Sequence, residues 1–283
     1  MINNYILQSL NINKVSNIEE LENVLRELIQ EISLCALARK GLFNKVAFYG
    51  GTCLRIFYRL GRFSEDLDFN VIKDNVEFNW DDYIGSCKDA IESFGLSTTI
   101  HKKEDYDNGE IRRRIIKVRY YELAKEYLGD VQMNKEQLLS VKLEVSMQYT
   151  HGASYDVKTL VSPNFASVLC YDFNSLFAGK LCALLTRGWA HRVKGRDFYD
   201  YMFYLNNKAK LNIIYFKNKL ENSLGKKMNN ISLDYIKEML RDKFKSTDFE
   251  SVRRDIKPFV NDKHILDAIT LETFMNSVDS LEY

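Results

Sequence analysis

The sequence of 283 residues has little proline, cysteine or glycine and no dominant charge. It contains two prolines and 13 glycines, which favours a helix-rich fold with few long loops. Its five cysteines are scattered, odd in number and without Cys-x-x-Cys spacing. This pattern excludes a disulfide framework and a cysteine zinc site, and it indicates a cytoplasmic protein with reduced thiols. The formal net charge is +1, so any surface for nucleic acid must be local.

Long apolar runs and the signatures of several enzyme classes are also missing. No window is long and apolar enough to span a bilayer, and the first residues lack the pattern of a signal peptide, so we expect no membrane partner. The four histidines show no metal spacing, and hydrolase triads and a Walker A loop are absent. A composition of 46% hydrophobic and 28% charged residues is typical of a globular protein with a substantial core.

The periodicity of apolar residues changes near residue 162. Before that point the pattern predicts three helices, over 18–40, 53–60 and 79–95, and five strands, over 45–49, 66–72, 111–121, 140–149 and 155–161. After Pro163 the predicted elements are all helical, over 172–188, 196–205, 213–223, 231–243 and 263–281. We therefore expect an α/β domain over 1–162 and a helical domain over 163–283 packed closely against it.

A glycine turn stands between the first predicted strand and a short helix. Gly50 and Gly51 allow the backbone to approach a ligand closely. The helix that they open has free N–H groups at its start, where phosphate oxygens bind well, and Thr52 adds a hydroxyl donor. A pair of glycines alone is more often an ordinary turn, so the following acidic segment decides the interpretation.

The segment SEDLDF begins roughly one helix later. Alternation along a strand puts Ser64, Asp66 and Asp68 on one face and turns Glu65 away. Two carboxylates in this arrangement can ligate one hard cation or two neighbouring ions, as in magnesium sites that bind a triphosphate. Glu144, on the alternating strand KLEVS, is a candidate third ligand. The alternative for each acid is a solvated strand face.

In the helical half, a lysine occupies an apolar stripe. Lys180 shares a helix face with Phe177, Leu181 and Leu184. A lysine at such a position either extends its ammonium group to the edge of the packed face or serves a cavity.

A mixed charged segment, HRVKGRDFYD, follows that helix. Asp197 and Asp200 lie three residues apart on one predicted helical face. They either take part in a site or stabilise the start of the helix through its dipole, with Arg196 in a surface ion pair. The cations of the segment form a local basic cluster: His191, Arg192, Lys194 and Arg196.

The predicted strand IRRRIIKVR is strongly basic. Alternation puts Arg113, Lys117 and Arg119 on one face and Arg112 and Arg114 on the other. These cations can bind the phosphodiester backbone of an RNA acceptor. They can equally pair with nearby acids, and the sequence leaves this open: Glu104, Asp105, Asp107 and Glu110.

The glycine turn, the Asp-x-Asp strand and the later acidic strand together resemble the polymerase-β-type nucleotidyltransferase fold. The pattern GGT-LR--YRL-RFSEDLDF is similar to the AbiEii/AbiGii family of bacterial abortive-infection and toxin–antitoxin nucleotidyltransferases, and the resemblance spans most of the chain. Many such enzymes carry serine where this chain has Thr52, a change that keeps the hydroxyl. The resemblance implies an α+β fold with a mixed sheet and helices, followed by a helical C-terminal half.

The resemblance also implies a function. It implies a toxin of a phage-defence system that uses Mg²⁺ or Mn²⁺ to transfer a nucleoside monophosphate from an NTP to RNA, with the 3′ end of tRNA as the leading acceptor and a cognate antitoxin encoded nearby. One alternative in the same fold is a protein AMP- or UMP-transferase, and another is a catalytically silent module that binds a nucleotide or partner. The implied site residues are Asp66, Asp68 and Glu144 for the metal; Gly50, Gly51, Thr52, Ser64, Lys180, Arg196 and Asp200 for the nucleotide; and Asp197 beside Lys180 in catalysis.

Overall fold

The computed structural model describes residues 3–102, 109–187, 194–229, 231–260 and 262–283. Within them one seven-stranded sheet has the order β3-β4-β5-β2-β1-β7-β6. The sheet is mixed, because β2–β5 and β1–β7 are parallel whereas β1–β2, β3–β4 and β4–β5 are antiparallel. The strands are β1 (Val46–Tyr49), β2 (Asp66–Val71), β3 (Thr98–His101), β4 (Ile111–Arg119), β5 (Leu138–Ser146), β6 (Tyr155–Leu160) and β7 (Ala166–Tyr171).

Eleven α-helices accompany the sheet in the described part of the chain, and the predicted α+β class is confirmed. None of these helices is long and apolar enough to cross a membrane. The helices are α1 (Asn4–Ile12), α2 (Ile18–Arg39), α3 (Gly50–Tyr58), α4 (Ile84–Ser93), α5 (Tyr121–Leu128), α6 (Phe173–Thr186), α7 (Gly195–Asn206), α8 (Ile213–Leu224), α9 (Leu233–Lys245), α10 (Phe249–Ile256) and α11 (Leu271–Ser277).

The chain forms two compact units. The first, which we call the sheet unit, comprises Met1–Tyr58, Phe63–Tyr149 and Val157–Cys170. The second, the helical unit, comprises Arg59–Arg62, Thr150–Asp156 and Tyr171–Tyr283. The chain therefore enters the helical unit twice before its long helical segment begins.

The sheet unit is built on strand alternation and on one long helix. Along β2, Leu67, Phe69 and Val71 are buried, while Asp66 and Asp68 are only half-buried. Helix α2 begins at its predicted position, because the side chain of Asn17 caps it by accepting a hydrogen bond from the backbone N–H of Glu20 at 2.9 Å. Its buried face then packs as the apolar periodicity predicts.

The helical unit has an aromatic core. Phe198 of α7 lies 6.0 Å from Phe244 of α9 and 5.4 Å from Phe274 of α11, measured between ring centroids. Phe177 of α6 stacks on Tyr204 of α7 at 4.9 Å. Rings in edge or offset contact add to the free energy gained from burying their area, so these contacts stabilise the packing of the helices on one another.

Several elements of the structure were not predicted from the sequence. Strand β7 follows Pro163, where only helices were predicted, and it pairs in parallel with β1, with Phe48 opposite Cys170. The other missed elements are short: α1, β3, α5 and α10. The predicted helix over 79–95 is interrupted, since a 3₁₀ turn at Trp80–Asp82 precedes α4.

Candidate active site

The turn between β1 and α3 brings the backbone against an aspartate. Because β1 and β2 are antiparallel, Tyr49 lies opposite Asp68, and Gly50 follows directly. Gly50 has a φ of +85°, and a Cβ atom at this position would lie 2.8 Å from Oδ2 of Asp68. A side chain here would be strained and would collide with the carboxylate, so the close approach requires glycine.

Thr52 and Ser64 have structural contacts that the sequence did not predict. Thr52 is buried, and its hydroxyl donates to the backbone oxygen of Asp66. This hydroxyl, which was expected to meet a phosphate, therefore fastens α3 to the start of β2. Ser64 precedes β2 and is half-buried, and its backbone oxygen accepts a hydrogen bond of 3.1 Å from the Gln30 side chain in α2.

Three carboxylates come together on neighbouring strands of the sheet unit. In the parallel pair of β2 and β5, Asp68 lies opposite Glu144 and Asp66 lies opposite Lys142. Val141, Leu143 and Val145 of β5 are buried, so Lys142 and Glu144 occupy the same outward face as the aspartates.

Two cations lie among these acids. Nζ of Lys142 is 3.2 Å from Oδ2 of Asp66 and 3.5 Å from Oε1 of Glu144, and Nε of Arg113 in β4 donates to the same Glu144 oxygen. Burial raises the pKa of Asp66 above its usual range, although Lys142 acts in the opposite direction. Burial also acts to lower the pKa of Lys142, but Asp66 and Glu144 outweigh it, so this pKa is raised.

The donor set fits a hard divalent cation at Asp66 and Asp68. Both are half-buried carboxylates on one face, and oxygen donors of this kind are those that Mg²⁺ prefers. Glu144 differs from Asp66 in that it pairs with Arg113 as well as with Lys142. Among the described residues, no three His, Cys, Asp or Glu side chains form a metal-binding group, so the role of Glu144 as third ligand stays a prediction.

Three arginines of the basic strand β4 form ion pairs with acids of other segments. Besides Arg113, the fully buried Arg114 donates to Asp81 at 2.9 Å, and Arg119 lies 3.0 Å from Glu136. The local acids weighed as partners, apart from Glu110, lie outside the described residues. Sequence alternation put Lys142 beside Glu144, but the contact of Arg113 with Glu144 required the pairing of β4 with β5, which no local pattern reveals.

In the helical unit, Lys180 of α6 lies between two buried carboxylates of α7. Its Nζ is 2.7 Å from Oδ1 of Asp197 and 2.7 Å from Oδ2 of Asp200. Both acids are buried, which alone would raise their pKa values. Nearby cations outweigh burial and lower both pKa values: Lys180 and Arg187 act on Asp197, and Arg62 and Lys180 act on Asp200. All three side chains predicted to act together in this half are therefore in contact.

Sequence reasoning missed Arg62 and Arg187 as partners of these aspartates. Arg187 lies 2.6 Å from Asp197 directly after α6, and Arg62 lies 2.6 Å from Asp200 although it is 138 residues away in the chain. The only local signal for Arg62 was its place in the RFSEDLDF pattern. Arg196, expected at the nucleotide, stacks on the ring of Phe259 at 4.2 Å. Of the basic cluster's other members, His191 and Arg192 lie outside the described residues, and Lys194 directly precedes α7.

Comparison with known proteins gives a family and a fold. Residues 32–277 match a family model described as "Nucleotidyl transferase AbiEii toxin, Type IV TA system". The crystal structure of JHP933 from Helicobacter pylori is 19% identical, with a TM-score of 0.53 over 91% of this chain and 90% of that one. The nucleotidyltransferase toxin MenT4 from Mycobacterium tuberculosis H37Rv is 13% identical, with a TM-score of 0.52 over 100% and 91%. Both likenesses concern the fold alone. A search of curated proteins gave no match.

Proposed function

Since this chain belongs to the AbiEii nucleotidyltransferase toxin family of type IV toxin–antitoxin systems, we propose that it transfers a nucleoside monophosphate from an NTP to RNA. The 3′ end of tRNA is the leading acceptor. One observation carries the proposal: Gly50 runs so close to Asp68 that a Cβ atom on it would lie 2.8 Å from Oδ2 of the carboxylate. The turn that we propose for phosphate therefore adjoins a carboxylate that we propose for the metal.

Asp66 and Asp68 are the residues proposed to hold Mg²⁺ or Mn²⁺. When bound, the ion neutralises the triphosphate and favours ionisation of the attacking hydroxyl. The carboxylates also orient the reacting groups, because β2 fixes both on one face. Lys142 stabilises their negative charge until the substrate arrives, since its ammonium group is 3.2 Å from Asp66. Thr52 keeps the backbone of Asp66 in place through its hydroxyl.

We propose the start of α3 in the sheet unit as one phosphate-binding element and Lys180 in the helical unit, taken by itself, as another. The first backbone N–H groups of a helix have no hydrogen-bond acceptor inside that helix, and the helix dipole favours an anion beside them. In α3 these groups follow Gly50. Lys180 of the helical unit supplies a cation for the triphosphate. Asp197 and Asp200 hold its ammonium group in place. The RNA 3′-hydroxyl then attacks the α-phosphate in line, and pyrophosphate leaves.

The biological setting is proposed from the family. A toxin of this family acts with a cognate antitoxin, and we propose that this one arrests growth as a defence against phage. We place it in the cytoplasm, which is supported by five cysteines that are all buried free thiols.

The test is incorporation of label from α-³²P-NTPs into cellular RNA in the presence of Mg²⁺. Wild-type protein should label RNA, and Asp68→Asn should abolish labelling, because it removes a metal-binding charge while keeping the shape. A matched control is Asp279→Asn, which changes an exposed aspartate paired with Arg241. If Asp68→Asn labels RNA as well as wild type, the assignment fails. Label found in protein instead of RNA would favour the protein-modifying alternative.

A further inference from the structure

Arg62 forms a buried two-pronged ion pair with Asp200. Its Nε donates to Oδ1 at 2.7 Å and its Nη2 to Oδ2 at 2.6 Å. Arg62 is 2% exposed and Asp200 is 0% exposed, so neither group reaches solvent. A buried ion pair seldom stabilises a fold better than apolar residues of similar volume, because both charges lose their hydration. Stability alone therefore does not explain why this buried position holds an arginine paired with Asp200.

Asp200 also serves Lys180, and this sharing links Arg62 to the proposed triphosphate contact. Five charged groups touch in sequence, with three cations and two anions: Arg62, Asp200, Lys180, Asp197 and Arg187. The cluster thus carries a net charge of +1. Without Arg62 these groups would be neutral in sum, and Asp200 would lose the cation that pairs with both of its oxygens.

We propose that Arg62 is a positioning residue for nucleotide transfer. By accepting both N–H donors of Arg62, Asp200 is fixed in orientation and its charge is balanced, which leaves the positive charge of Lys180 available to a triphosphate. Arg62 is too deeply buried to touch the substrate itself, so it acts through Asp200. This inference rests on the proposed function, in which Lys180 binds the triphosphate.

The geometry requires arginine. Its planar guanidinium presents two parallel N–H donors that match both oxygens of one carboxylate, whereas an ammonium group is a point charge without this fork. Arg62→Lys keeps the buried charge and loses the orientation, while Arg62→Met keeps the volume and loses both. The two variants together separate charge from orientation.

The experiment measures KM for the NTP and kcat for both variants in the RNA-labelling assay. Arg62→Met should raise KM by about 10- to 100-fold, the range of one charge-assisted contact, with a smaller change in kcat. Arg62→Lys should recover part of this loss, and it supplies the measurement if Arg62→Met does not fold. The matched control is Arg241→Met, which removes a half-buried arginine of the helical unit from its pair with Asp279 and should leave both constants unchanged. Wild-type constants in folded Arg62→Met would overturn the inference.

A double-mutant cycle tests the route through Asp200. If Arg62 acts through this carboxylate, Arg62→Met should have little further effect in an Asp200→Asn background. Additive losses would overturn the proposed route.

A readout without substrate separates this inference from the function itself. In Arg62→Met the two carboxylates hold Lys180 more tightly, so its acylation, followed by mass spectrometry, should be slower than in wild type. Acylation of the half-buried Lys88 in the sheet unit should be unchanged. Unchanged or faster acylation of Lys180 would overturn the inference. Absence of labelled RNA with wild-type protein would instead overturn the proposed function.

Discussion

Gly50 shows how much one residue determines at the proposed site. Its φ of +85° and its contact with Asp68 both exclude a side chain. Gly50→Ala should lower the free energy of unfolding by about 1–2 kcal/mol through backbone strain. It should also lower nucleotide incorporation by about 100-fold, because a displacement near 1 Å is enough to misplace a reacting group. Urea denaturation and the RNA-labelling assay measure the two effects.

Gly129 offers the matched control for that substitution. It has a φ of +82° in the same unit, but a Cβ atom there would meet nothing within 4 Å. Gly129→Ala should therefore reproduce the backbone strain and leave incorporation unchanged. An equal loss of activity in both variants would show that the contact with Asp68 is not the cause.

Glu31 predicts a pH dependence of stability away from the proposed site. Its pKa is raised from 4.5 to about 8, first by burial and then by the charge of Glu27. Glu27 itself pairs with Arg55 at 2.8 Å, and the Tyr5 hydroxyl of α1 donates a hydrogen bond to Glu31. Between these pH values the unfolded chain releases the proton and the folded chain keeps it, so the free energy of unfolding falls as pH rises. Glu31→Gln removes this loss and should stabilise the protein at pH 8 by about 1–3 kcal/mol.

Urea denaturation at pH 4.5 and pH 8 measures this effect. At pH 4.5 the variant and wild type should differ little, since most of the shift lies above that pH. Glu20→Gln should act in the opposite direction, because hydrogen bonds from Ser16 lower the pKa of Glu20 and its charge stabilises the fold. A stability gain of Glu31→Gln that is the same at both pH values would contradict the assignment.

At the scale of elements, α7 and α10 cross at a glycine. A Cβ atom on Gly195 would overlap the backbone oxygen of Val252 and lie 3.1 Å from Cγ1 of Ile256. Backbone cannot yield as a flexible side chain does, so Gly195→Ala should push the helices apart and lower the free energy of unfolding by about 1–3 kcal/mol. Thermal and urea unfolding measure it.

Gly85 is the control within another helix. It lies in α4, where a Cβ atom would meet nothing within 4 Å. Gly85→Ala should raise the free energy of unfolding by about 0.5–1 kcal/mol, because alanine loses less backbone entropy in a helix. Destabilisation by both substitutions would mean that the crossing at Gly195 is not special.

The same scale explains which elements the sequence could predict. Helix α2 has 22 residues and a capping asparagine, so its periodicity and its start are both visible locally. Strand β7 has only six residues, four of them buried, and its short apolar run does not distinguish a strand from a helix. Its parallel pairing with β1 decides the matter, and that partner is more than a hundred residues away.

For the whole molecule, strand alternation located the acids of the proposed site and Lys142 beside them, but not the arginines that also pair with acids. Asp66 and Asp68 share a face by local geometry, and Glu144 joins them because β5 pairs with β2. The contacts of Arg113 and Arg62 depend on strand order and on long-range pairing of charges, which carry no periodic signal. Residue types therefore suffice to propose the acids of the site, and the long-range pairing of the fold is needed to find the arginines that pair with them.

The last prediction concerns growth arrest by the intact chain. Asp66→Asn combined with Asp68→Asn should remove the arrest, because the proposed metal site loses both charges. Folding should survive, since burial already disfavours the charge of Asp66. The matched control combines Asp267→Asn and Asp279→Asn. Both replace exposed aspartates, so the arrest should persist. Growth curves with immunoblots for protein level decide the outcome: arrest that persists at equal protein level would mean that the chain acts by binding and not by nucleotide transfer.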